Sequence, residues 1–139
     1  MKRIFLLNFI LFSLFSCSTD NDLVDFYGEP LPIESVIIPQ TFQFGEVFQI
    51  EVSYFRPTDC HVFNNFIVNS DNENESTVIL LNTVYSNPDC ETFEANSNLV
   101  QATFNYQVNT SNTHVFKFWQ GKNDNGSDLY LIVEVPVEQ

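Results

Sequence analysis

Leu99-Val100-Gln101-Ala102-Thr103-Phe104-Asn105-Tyr106-Gln107-Val108 alternates without a break. Val100, Ala102, Phe104, Tyr106 and Val108 fall on one side, and Gln101, Thr103, Asn105 and Gln107 on the other. Successive side chains of a strand point to opposite faces, so this pattern puts one face on a core and the other in water. The same period appears upstream in Glu46–Phe55, which turns Phe48, Ile50, Val52 and Tyr54 inward and Gln49, Glu51 and Ser53 outward. From Ile33 onward no stretch has helical periodicity.

Working outward, further strands are expected near Ser35–Ile38, His61–Asn69, Thr77–Tyr85, His114–Gly121 and Leu129–Val137, making a set of seven. The facing of 61–69 and 77–85 is ambiguous, because apolar residues fall on both sides. Clusters of Asn, Asp, Ser and Pro separate the segments. The pattern predicts an all-β fold, a single antiparallel, Ig-like β-sandwich of about seven strands over residues 33–139.

The last two strands can be placed in register from their turn. Asn125-Gly126 suits a two-residue hairpin, since both residue types tolerate positive φ. That turn sets Phe118 opposite Val133 and Phe116 opposite Val135 on the core face. On the other face Lys117 meets Glu134 and Trp119 meets Ile132. The outer face of this hairpin should be polar, yet it carries Val115, Trp119, Tyr130 and Ile132. They form either a platform for a sugar ring or protein partner, or a surface covered by the tether or first strand.

The chain has 139 residues, 44% hydrophobic and 17% charged, with 15 Phe and a formal net charge of -13. That apolar content suits one folded domain and argues against disorder. The acidity excludes a nucleic-acid binder, since polyphosphate would be repelled.

The amino terminus carries the signal for location. Met1-Lys2-Arg3 is basic, and Ile4–Phe15 is an apolar run broken by Asn8 and Ser13. Such a run is too short to span a bilayer and suits the core of a signal peptide. Leu14-Phe15-Ser16-Cys17 then resembles the lipobox of bacterial lipoproteins, with Phe15 standing where that family has a small or aliphatic residue. The resemblance implies a signal peptide over 1–16, cleavage before Cys17 and acylation of Cys17. Three acyl chains, at about 0.8 kcal/mol per buried methylene, make a permanent membrane anchor. Residues 17–32 are then the lipidated Cys and a flexible tether, ending in the proline-rich Glu29-Pro30-Leu31-Pro32. Ser18-Thr19-Asp20-Asn21-Asp22 is similar to the acidic export tag of surface lipoproteins of the Bacteroidota. With the leader gone, Arg56, Lys117 and Lys122 are the only Lys or Arg left against 18 acids.

Cys60 and Cys90 remain, and in an oxidising envelope a pair reads first as a disulfide. Each follows a Pro-containing turn, and the seven-strand order puts both turns at one end of the sandwich. A metal held by Cys60, His61, Cys90 and His114 is the sharper alternative. It lacks CxxC or HxxxH spacing, so no metal is assigned. Gly121–Asp128 fails the EF-hand template, with Ile132 where an acid belongs, and reads as a hairpin tip. No cofactor is implied.

Catalysis has little support. His61 and His114 are the only histidines, no G-x-S-x-G is present, and no carboxylate pair stands out. The leader and the tail Phe116–Lys122 with Asp124, Gly126 and Asp128 together resemble small β-sandwich lipoproteins of the Bacteroidota without an assigned activity. The expected protein is a non-enzymatic lipoprotein of the bacterial cell envelope, at the outer membrane on its surface or periplasmic face. It would bind, adhere to or assemble with an envelope protein or glycan. The alternative from another class is a small envelope hydrolase or a hydrolase inhibitor.

Overall fold

A computed structural model describes residues 25–138. The proposed signal peptide, Cys17 and the first part of the tether lie outside the described residues. Ten strands follow in order: β1 (Phe26–Leu31), β2 (Ile33–Ile37), β3 (Phe42–Gln43), β4 (Val47–Phe55), β5 (His61–Asn72), β6 (Glu75–Tyr85), β7 (Leu99–Gln107), β8 (His114–Lys122), β9 (Asp128–Val135) and β10 (Val137–Glu138). The described residues contain no helix.

Two sheets form the sandwich. In the larger, β5 runs along one edge of β6. The other edge of β6 is shared end to end by β1, which pairs with residues 80–85, and β8, which pairs with 75–78. Beyond β8 lies β9. The smaller sheet has the order β2-β4-β7, and β3 with β10 makes a short ribbon. Most pairings are antiparallel as expected, but β6–β8 and β3–β10 are parallel.

The alternating stretches land as their period requires. Ile50, Val52, Tyr54, Ala102 and Val108 are buried, with Phe48, Val100, Phe104 and Tyr106 packed against them. From the larger sheet, Val78, Leu80, Phe116, Phe118 and Val135 complete the core. Phe42 closes one end, stacked on Phe48 at 4.8 Å and edge-on to Phe116 at 6.1 Å. Ser53, expected in water, is buried instead. It lies in the central strand of its sheet, with Ser35 and Gln101 beside it.

Three further expectations are corrected. The domain begins at Phe26 rather than Ile33, because part of the expected tether is strand. The residue before a proline favours extended backbone, so Glu29 and Leu31 are predisposed to a strand. Pro30 is tolerated because β1 has a partner on one side only. At Pro32 the chain leaves the larger sheet and enters the smaller one as β2, so β1 and β2 staple the two layers.

The second correction is the final hairpin. Phe116 pairs with Val133, Lys117 with Ile132 and Trp119 with Tyr130, a shift of two residues from the expected register. Every side chain keeps its face, since the shift is even. A bulge between Trp119 and Lys122, with Gly121 at φ 94, takes up an extra residue on β8. The turn is longer than Asn125-Gly126: Asn123 Oδ1 accepts the Asn125 and Ser127 amides, at 3.0 and 2.9 Å. Gly121 must stay small, because a Cβ there would meet Pro32 at 3.3 Å.

The third is the partner of Lys117. Its ammonium contacts Glu75 and lies 3.7 Å from Asp71, both on the β5–β6 hairpin, rather than engaging Glu134 on β9.

Candidate binding face

The outer face of the larger sheet is assembled by its register. Trp119 on β8 stands beside Tyr130 on β9, and Lys117 beside Ile132. On the other side of β8, Thr77 of β6 pairs with Lys117 and the pairing ends at Val78 with Phe118, so the next residues, Ile79 and Trp119, share the outer face. Ile79 in turn pairs with Ile67 on β5. Ile67 and Ile79 on one side and Trp119 and Tyr130 on the other therefore share one face across four strands, a broken row with Ile132 beside it.

Burial along this row is incomplete in the way a contact surface requires. Ile132 is 58% exposed and Tyr130 39%, while Val115, Trp119 and Ile79 are half-buried. The expected first strand does not cover them, because Ser35–Ile37 lies in β2 of the smaller sheet, and β1 lies in the plane of the larger sheet at the β6 edge. The Trp119 indole is held at its polar edge: Nε1 donates to Asp128 Oδ1 at 2.9 Å. Lys122 also reaches Asp128 Oδ1 at 2.9 Å. The indole N–H, and after it the Lys122 ammonium, hold the Asp128 carboxyl below its ordinary range. A tryptophan fixed in this way presents a preset apolar surface at small entropic cost.

Ion pairs frame the row. Hydrogen bonds from Lys117 and then Asn72 lower the Glu75 carboxyl, and Glu75 raises Lys117 in return. Of the residues read as a platform, all four share this face. Ile67 and Ile79 were missed, since strands 61–69 and 77–85 had no clear facing in the sequence.

The other chemistry-bearing residues are committed to structure. Cys60 and Cys90 form the expected disulfide, with Cα atoms 5.7 Å apart. Asp59 lies close to both sulfurs, but bonded sulfurs are not thiolate ligands. His61 is buried between Thr58 Oγ1, 2.8 Å from Nδ1, and Glu29 Oε2, 3.1 Å from Nε2. His114 Nε2 lies 3.3 Å from both the Thr110 carbonyl and its hydroxyl, and Nδ1 lies 2.8 Å from the Tyr106 hydroxyl. Neither ring has a nucleophilic Ser or Cys among these hydrogen-bond partners.

Compared with known protein families, curated proteins and solved structures, the chain matches none.

Proposed function

We propose that this chain is a lipid-anchored protein of the bacterial cell envelope with a non-enzymatic binding role. The leader supports the anchor: a basic start, a short apolar run and Leu14-Phe15-Ser16-Cys17. Cys17 carries the lipid, and the outer membrane holds the protein at its surface or periplasmic face. The sandwich binds an envelope protein or glycan through the outer face of its larger sheet, in adhesion or assembly.

One observation carries the binding reading. Ile67, Ile79, Trp119, Tyr130 and Ile132 line the side of the sheet away from the core, where alternation would place polar residues. Flat aromatic and aliphatic surface of this kind offers contact area to a sugar ring or an apolar protein patch.

The test is a pull-down from intact envelope with the full chain and with Trp119→Ala/Tyr130→Ala, alongside thermal melts of both. Loss of capture with a small change in melting temperature supports the reading. Unchanged capture overturns it. Mass spectrometry of native material reads the anchor directly, and an unmodified amino terminus would remove it.

A further inference from the structure

A second site stands apart from that face, at the disulfide end. The turn after β4 and the 86–98 loop border an open cleft of about 340 Å³ whose lining includes Phe55, Arg56, Pro57, Phe93, Glu94 and Asn96. Its walls are mostly apolar, and its one cation is Arg56.

The cleft is firmly built. The Cys60–Cys90 bond ties its two sides together. The Phe93 amide donates to the Pro57 carbonyl at 2.9 Å, and the Arg56 amide to the Asn98 carbonyl at 3.0 Å. Asp59 and Glu91 exchange two further bonds across the same gap, and Thr58 bridges Thr92. A loop pinned so densely is rigid, and rigid loops on a sandwich are where binding residues are placed.

Arg56 is what gives the cleft a chemistry. Its Nε donates to Asn98 Oδ1 at 3.0 Å, and its guanidinium lies over the Phe93 ring, 5.7 Å from the centroid. Those contacts orient the group while leaving its terminal nitrogens without a carboxylate partner among the described residues. The two lysines of the domain are both paired with acids. In a chain with 18 acids, the one arginine of the domain makes no ion pair among the described residues and lines a mostly apolar cleft in which Glu94 is the only acid. A planar guanidinium matches a carboxylate with two parallel hydrogen bonds.

We propose that this cleft binds a carboxylate carried on an aromatic or aliphatic body, with Arg56 on the carboxylate and Phe55, Pro57 and Phe93 on the apolar part. Glu94, which also lines the cleft, opposes a second negative charge, so the ligand is a monoanion. Two sources share this chemistry: a free small carboxylate and the carboxyl terminus of a polypeptide.

The experiment titrates the full ¹⁵N-labelled chain in detergent with three probes: 3-phenylpropionate, N-acetyl-Ala-Ala-Phe and the carboxamide of that peptide. Backbone amides and the arginine Nε–H are followed by NMR. Expected are saturable shifts at Phe93 and Arg56 Nε–H with an acid probe, and binding weaker by about tenfold or more for the carboxamide or for Arg56→Gln. Binding of the peptide acid alone assigns a chain terminus. Binding of phenylpropionate, with or without the peptide, assigns a small carboxylate. Equal binding of acid and carboxamide, or no shifts at Arg56 and Phe93 with either acid, overturns the proposal. The acid–carboxamide comparison uses the unaltered chain, so it stands even if Arg56→Gln misfolds.

Discussion

The Glu29 carboxylate lies 3.1 Å from Nε2 of the buried His61, joining β1 to the first residue of β5 across the width of β6. Thr58 holds the other ring nitrogen at 2.8 Å. Removing the carboxylate leaves one polar end of a buried imidazole unmatched, at a cost of about 1–3 kcal/mol. Glu29→Ala should therefore lower the urea midpoint by a destabilisation in that range, with an unchanged denaturant slope. A chain shortened to begin at Ile33 should fare worse, because it loses β1 and uncovers the β6 edge at residues 80–85. Urea unfolding of both checks the boundary at Phe26.

A second buried polar pair behaves differently. The Tyr54 hydroxyl donates to Asn82 Oδ1 at 3.4 Å, while Asn82 Nδ2 has no partner although the residue is fully buried. Asn82→Ala opens a cavity and strands the Tyr54 hydroxyl, and should cost about 2–4 kcal/mol. Asn82→Leu combined with Tyr54→Phe removes both polar partners at similar volume, and should lie within about 1 kcal/mol of the unaltered chain. A double-mutant cycle by chemical denaturation gives the coupling, and additive single costs would refute it.

Tyr54 also sets the alkaline limit. Burial raises its hydroxyl above the ordinary 10.0, against the lowering pull of Arg56 and the Asn82 bond. Burial raises Tyr106 likewise. The unfolded chain then loses these protons first, so the stability they contribute is fully present below pH 10 and declines as pH rises through the native values. Unfolding measured from pH 8 to 12 should show that decline, and Tyr54→Phe should make it shallower.

The acid side has the opposite sign. Glu75, held down by hydrogen bonds from Lys117 and Asn72, binds a proton less readily folded than unfolded. Its contribution is complete above its ordinary 4.5 and drains away as pH falls through the lower native value. Glu75→Gln should flatten the stability profile below pH 4.5 and, because Glu75 also raises Lys117, make the decline above pH 10.5 shallower.

How far these features could be read from the sequence depends on where each strand sits. Leu99–Gln107 and Val47–Phe55 have one face on the core, so their period is clean and the inward residues are legible. β5 is an edge strand with Val62, Phe63, Ile67 and Val68 all exposed, so burial imposes no period on it. β1 is hidden by Pro30 and the adjoining Pro32, and β3 and β10 are two residues each, too short for any pattern. The hairpin faces are legible, but its register is not, because an even shift leaves every hydrophobic residue where it was. The row on the outer face was half legible: its β8 and β9 members break the alternation, while Ile67 and Ile79 need the pairing of β5 with β6. The Arg56 cleft joins segments some forty residues apart, and no local signal marks it.

The disulfide gives the clearest separation of local from global effects. Cys60 and Cys90 are 30 residues apart, and closing such a loop stabilises by roughly 3–4 kcal/mol in the chain-entropy account. Cys60→Ser/Cys90→Ser should lose about that much in urea unfolding. The backbone bonds from Pro57 to Phe93 and from Asn98 to Arg56 remain available to the variant. Amide exchange should therefore quicken in residues 86–98 beyond what the global loss accounts for, while β6 and β8 exchange at the globally set rate. Uniform quickening across both sheets would mean that the bond braces the sandwich as a whole rather than the cleft it borders.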